Sequence, residues 1–235
     1  LQIFPRSGLG FKHRIQLDNT VGIIDSDYFY SDNEGHIFIN GEEVVISSPE
    51  DAFKLRDETG GVIAGERKGA KVEGFDIGNS PNALKEFNCN TKTLILTTSN
   101  GTRILENMKS TVLIGCLNNA CSVAEASLEL ATEHIDLVMA GVWGKFAIED
   151  FLASGEIIYE ISKRCGECEI SEYAKSAVLA RSDYGAVKKA FHESTSGNKL
   201  KSLGYENDIE YSLSKNSSKN VGLYKDGSIN KINFK

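Results

Sequence analysis

The chain has 235 residues, enough for one substantial core or for two small domains. With 40% apolar residues, 25% charged residues and only three prolines, it has the composition of a folded, water-soluble protein with little room for disordered spacers. A formal charge of −7 opposes condensation on a phosphate backbone, which excludes nucleic acid as an expected partner while leaving room for a local basic pocket.

Residues 1–39 alternate turn-like clusters (PRSGLG, LDNT, SDNEGH) with short runs such as HRIQL and VGIID, and so suggest a β-rich segment. The start, LQIFPRSGLG, has no basic region followed by an apolar stretch, and no run approaches the roughly 20 apolar residues that span a bilayer. No export signal and no membrane partner are therefore expected. Residues 49–58 predict a helix with Ser48 as its cap and Pro49 in its first turn, leading into a strand over 61–64.

Three β-branched runs over 93–98, 111–115 and 135–141 predict buried strands. Between them Ala120, Val123, Ala124, Leu128 and Ala131 repeat at helical spacing, with Asn118 or Asn119 placed to cap. Ile148, Phe151, Leu152, Gly155 and Ile158 mark a second helix. Tyr173, Ala177, Ala180, Tyr184, Val187 and Phe191 predict a third, with that stripe as core. From Gly197 onward the pattern reads as turns around edge strands, with SKNSSKN at 214–220 and KDG at 225–227 as the turns. Strands alternating with helices imply an α/β layered domain, whose ligands gather beyond the carboxyl ends of the strands.

The five cysteines are odd in number and scattered, which is no disulfide framework and fits a reducing cytoplasm. Cys165 and Cys168 form a lone CxxC, read as a polar loop between helices in preference to a zinc site or a redox pair. The four histidines lie in unrelated contexts, and the GxSxG and Walker patterns are absent.

Three stretches after strands carry candidate chemistry. Ser99, Asn100, Gly101, Thr102 and Arg103 combine hydroxyl and amide donors, a permissive glycine and a guanidinium, the parts of an oxyanion cradle; a tight turn with a surface arginine has the same spacing. The polar stretch 65–81 carries Glu66, Arg67, Glu73, Asp76, Asn79 and Ser80, whose carboxylates suit Mg²⁺ and whose arginine suits substrate charge; a solvated loop is the competing account. Glu149 and Asp150 open a helix, where acids also serve the helix dipole without any catalytic role.

Taken together, AGERKGAKVEGFDIGNSP at 64–81, LTTSNGTRIL at 96–105, IGCLNNACSVAE at 114–125 and AGVWGKFAIEDFLASGEI at 140–157 resemble the 2-phosphosulfolactate phosphatases. The likeness extends through GYENDIEYSL at 204–213 and covers about residues 40–235. It implies a three-layer α/β/α fold with a mixed sheet and a Mg²⁺-dependent hydrolysis of 2-phosphosulfolactate in coenzyme M synthesis. The implied partners are a small anionic phosphorylated substrate and a second copy of the chain in a homodimer.

On this likeness Glu66, Asp76 and Asp150 lie near the metal, while Arg67, Asn79, Ser80, Asn100, Gly101, Thr102 and Arg103 surround the anion. The family's opening pattern, like IDVLRATT, is missing; IIDSDYF at 23–29 is its nearest counterpart and puts Asp25 in the acidic position. A relative that binds anions without turnover is the alternative. Residues 1–39 resemble instead a fragment of the trimeric dUTP pyrophosphatases, through FPRSGLG and NTVGIIDSDYF, which would make Arg6, Ser7 and Asp25 functional and Tyr28 a neighbour of the nucleoside.

Overall fold

The structure, a computed structural model, describes residues 13–17, 43–45, 48–87, 93–108 and 112–232; Asp25 and the other dUTP pyrophosphatase-like positions lie outside them. The chain enters through β1 (His13–Leu17) and β2 (Glu43–Val45). Helix α1 (Pro49–Thr59) starts and stops by local chemistry: Ser48 Oγ accepts the Asp51 N–H, Pro49 fills the first turn, and Gly60 ends the helix at φ 68°. A hairpin of β3 (Val62–Arg67) and β4 (Ala70–Lys71) follows, then α2 (Pro81–Glu86), capped by Ser80.

Strand β5 (Leu94–Thr97), helix α3 (Gly101–Leu105) and strand β6 (Val112–Ile114) come next. A single 3₁₀ turn at Leu117–Asn119 leads into α4 (Ala120–Leu130), β7 (His134–Leu137) and α5 (Ile148–Arg164). The chain closes with β8 (Cys168–Ile170), α6 (Glu172–Ala180), α7 (Tyr184–Glu193), α8 (Thr195–Ser202), α9 (Glu206–Ser212) and the hairpin β9 (Gly222–Lys225) and β10 (Ser228–Lys231).

The fold is α/β with a mixed seven-stranded sheet in the order β4-β3-β5-β2-β10-β9-β6, beside a three-stranded parallel sheet β7-β1-β8. Strands β3 and β5 are parallel and buried along their lengths, as parallel strands are when helices cover both faces. Side-chain alternation sorts their residues. Ile63 and Ile95 pack with Ala52 of α1 and Phe75, whereas Val62, Ala64, Leu94 and Leu96 pack with Leu84 of α2 and Ile77. A larger core joins Ile114, Tyr224 and Ile229 of the sheet to α4, α5, α7 and α9.

Four sequence expectations are corrected. The third helix is two, because Asp183 accepts the N–H groups of Gly185 and Ala186 and caps a new helix after Ala180. Its stripe is core only in part: Ala177, Val187 and Phe191 are buried, but Tyr173, Ala180 and Tyr184 are exposed. The stretch 195–212 is helical, and the hairpin strands after it are interior to the sheet, β10 lying between β2 and β9. The CxxC is a disulfide, Cys165 to Cys168, joining the end of α5 to β8.

Asn118 and Asn119 are fully buried and make no side-chain cap to α4, although Asn119 Oδ1 accepts the Cys116 N–H at 2.9 Å in a capping box on the 3₁₀ turn. They cross-link chain segments instead. The Asn118 amide donates to the Tyr211 and Ser214 carbonyls, and that of Asn119 to the Ile114 and Asn220 carbonyls, so the two side chains tie the 3₁₀ turn to β6, the end of α9 and the segment before β9.

Candidate active site

The site forms where β3 and β5 end side by side. Their close approach needs Gly65, since a Cβ there would lie 2.0 Å from the Thr97 carbonyl oxygen. One residue later Glu66, buried, turns its carboxylate into the space beyond the strands. Its Oε1 accepts the Ser99 N–H at 2.7 Å, and its Oε2 accepts the Ser99 hydroxyl at 3.0 Å and the Gly69 N–H at 2.7 Å. One carboxylate thus ties the β3–β4 turn to the loop after β5. The turn is tight because Lys68 and Gly69 both adopt left-handed backbone, at φ 56° and 79°.

In the loop after β5, Thr98 and Thr102 bond reciprocally, each hydroxyl accepting the other's N–H at 3.2 Å, which fixes the entry into α3. Asn100 is released from capping, and its Oδ1 accepts the Trp143 N–H at 2.9 Å. This bond links the loop to the turn after β7, where Val142 and Lys145 exchange backbone hydrogen bonds at 3.0 Å. The same turn is tied to α5, because Asp150 Oδ2 accepts the Gly141 N–H at 2.6 Å.

These tethers surround a cavity of about 590 Å³ whose far wall is the end of α7 and the first turns of α8. Of the residues expected from sequence, Glu66, Asn79, Asn100, Glu149 and Asp150 line it together. The others are placed elsewhere. Asp76 is exposed and accepts the Ile63 N–H at 2.9 Å, at the opposite end of β3 from Glu66. Arg67, next to Glu66 on the alternating strand, donates to the Glu66 carbonyl and the Thr97 hydroxyl. Ser80 caps α2 and donates to Asp208 at 3.0 Å. Gly101 and Thr102 are buried in the first turn of α3, and Arg103 is exposed on that helix outside the cavity lining.

The expected metal trio is therefore not assembled: among the described residues no three His, Cys, Asp or Glu side chains converge on one point. Glu66 and Asp150 in one cavity still suit Mg²⁺, which is commonly held by one or two carboxylates completed by substrate oxygens and waters.

Sequence reasoning missed Lys68, Trp143 and the wall at Ser194–Lys199. A local signal for the wall was present, in Ser194 followed three residues later by Gly197, whose N–H the serine accepts at 2.9 Å. Nothing local marked Lys68 and Trp143, because the turns that present them put non-glycine residues at positive φ.

A family model described as 2-phosphosulpholactate phosphatase matches residues 37–227. A 2-phosphosulfolactate phosphatase of Methanothermobacter thermautotrophicus is 46% identical over 188 residues, covering 80% of this chain and 79% of that one. A protein of the same name from Methanocaldococcus jannaschii is 36% identical, covering 74% and 77%, and a probable one from Clostridium acetobutylicum is 35% identical, covering 79% and 80%.

Proposed function

Because the chain belongs to the 2-phosphosulfolactate phosphatase family, we propose that it hydrolyses 2-phosphosulfolactate to sulfolactate and inorganic phosphate with Mg²⁺. What carries the proposal is one observation: the cavity beyond the ends of β3 and β5 gathers the carboxylates of Glu66, Glu149 and Asp150 with the amide side chains of Asn79 and Asn100. In the reaction a water oxygen bonds to phosphorus as the ester P–O bond breaks, and the departing oxygen takes up a proton to become the hydroxyl of sulfolactate.

Glu66 and Asp150 would hold Mg²⁺, which when bound offsets charge on the transferred phosphoryl group. Three backbone and hydroxyl donors hold the Glu66 carboxylate in place before substrate arrives, so little reorganisation is left for the reaction itself. Asn79 and Asn100 offer amide groups to anion oxygens, and the Trp143 N–H bond to Asn100 fixes which way that amide faces. Coenzyme M synthesis in the cytoplasm is the setting this reading carries with it.

Phosphate release from 2-phosphosulfolactate by the purified chain tests the proposal, with a chelator-treated sample as control. No release above that control would sink it. A second reading, anion binding without turnover, is favoured by Asp76 lying away from the cavity. Calorimetric binding of sulfolactate by a chain that releases no phosphate would select it. For residues 1–39 the dUTP pyrophosphatase reading rests on sequence motifs alone, and pyrophosphate release from dUTP is its test.

A further inference from the structure

The cavity wall contains two cations that the hydrolysis above does not use, Lys68 and Lys199. They come from distant parts of the chain and meet at Gly69. A Cβ on Gly69 would lie 3.5 Å from Lys199 Cγ, 3.7 Å from Lys199 Cε and 3.1 Å from Leu203 Cδ1, so the bare glycine is what lets the Lys199 stem lie across the turn that carries Lys68. The turn itself is anchored, because the Lys68 N–H donates to the Ser99 hydroxyl at 3.3 Å and that hydroxyl in turn donates to Glu66.

Among the described residues neither lysine has an ion-pair partner, although Glu66, Glu149 and Asp150 line the same cavity. Glu66 is turned toward Ser99 and Gly69, and Asp150 toward Gly141. Both lysines are exposed to solvent, and with no carboxylate paired to either among the described residues their ammonium groups leave this wall open to an incoming anion. The phosphoryl group is accounted for by the carboxylate and amide side of the cavity, so the lysines are available to a different negative charge on the same molecule.

We propose that Lys68 and Lys199 form a subsite for the second anionic group of the substrate, the sulfonate or carboxylate on its carbon skeleton, and so select phosphomonoesters that carry one. The proposal rests on the phosphatase reading for its substrate but not for its ligand chemistry. A lysine is a compact point charge with three donors, suited to a tetrahedral or planar oxyanion that arrives without a fixed orientation.

The test compares wild type with Lys68→Gln, Lys199→Gln and the double variant on three substrates: 2-phosphosulfolactate, 2-phospholactate, which keeps only the carboxylate, and ethyl phosphate, which has neither group. Glutamine preserves the stem over Gly69, and a melting curve like that of wild type shows that the fold is kept. Losing charge-assisted hydrogen bonds should raise KM for 2-phosphosulfolactate roughly 30-fold in the double variant. The expected kcat is little changed, and ethyl phosphate kinetics do not move. A rise for 2-phosphosulfolactate alone assigns the lysines to the sulfonate; an equal rise for 2-phospholactate assigns them to the carboxylate. Equal losses on all three substrates, or none, overturn the proposal.

A separate arm measures sulfolactate binding by calorimetry. If wild type turns nothing over but binds sulfolactate, and the double variant does not, the subsite stands while the phosphatase reading falls. Equal binding by both, or by neither, overturns the subsite.

Discussion

Glu66→Gln isolates what the carboxylate does beyond filling space. Glutamine keeps the volume but offers one acceptor and one amide group to three donors, so at least one of Ser99 N–H, Ser99 Oγ or Gly69 N–H faces another donor. We expect a stability loss of about 2–4 kcal/mol in thermal unfolding, and kcat lower by about 100-fold or more with a higher Mg²⁺ requirement. A variant that melts lower yet keeps its kcat would confine Glu66 to tethering the two loops. Tyr211 offers a separate test by pH. Burial pushes its phenol up to about 12 from 10.0, so folding favours the neutral form. Its contribution is fully present below pH 10 and disappears as pH rises through 12. Lys85, whose Nζ lies 4.1 Å from the ring centroid and whose own pKa burial lowers, titrates nearby with the opposite sign. The difference between wild type and Tyr211→Phe therefore isolates the tyrosine: the gap in unfolding free energy should narrow between pH 10 and 12, and a gap that stays constant removes the effect.

Helix α5 is the element on which the site depends most, since it carries Asp150 at one end and a disulfide cysteine at the other. Its packing against α6 turns on one residue. A Cβ at Gly155 would lie 2.2 Å from the Ala177 carbonyl oxygen, and the atom it meets is backbone, which cannot rotate away. Gly155→Ala should cost about 3 kcal/mol by forcing the helices apart, despite alanine's better helix propensity, and should weaken activity through Asp150. Unchanged melting would mean that α6 shifts freely. The disulfide is worth less: its partners are three residues apart, so reduction should cost only about 1–2 kcal/mol by loop-closure entropy. Elements of this kind divide by how they announce themselves. Helix α1 and strands β5 and β6 were legible because Ser48, Pro49 and runs of β-branched residues act locally. The break between α6 and α7 was not, because a helical stripe continues across it and only the Asp183 side chain interrupts it. In the site, Glu66, Asn100 and Asp150 stood in recognisable loops, whereas Asp76 stood in one too and was turned to the Ile63 N–H by the register of β3. Lys199 had no legible link to Lys68, because it meets the β3–β4 turn only through tertiary packing across Gly69.

At the scale of the whole molecule the cavity spans two sheets. Glu66 near the end of β3 and Asn100 in the loop after β5 belong to the seven-stranded sheet, while Asp150 and the turn at Gly141 follow β7 of the three-stranded one. That smaller sheet is held by β1, which pairs in parallel with β7 from Arg14 opposite His134 to Leu17 opposite Leu137, and with β8 from His13 opposite Cys168 to Ile15 opposite Ile170. Strand β1 lies ahead of the family-matched residues 37–227, yet both of its partners lie within them, so the boundary in sequence is not a boundary in the fold. Removing residues 1–17 would leave the backbone donors and acceptors of β7 and β8 without their shared partner, and exposed strand edges of this kind pair with other chains. We expect such a variant to elute as aggregate in size-exclusion chromatography and to lose phosphate release, because the turn at Gly141 would no longer be held opposite Asn100. A chain starting at residue 13 is the control. If the two shortened chains lose assembly and activity equally, β1 is not the cause; if only the removal through Leu17 does so, the segment outside the family match is a working part of the site's second wall.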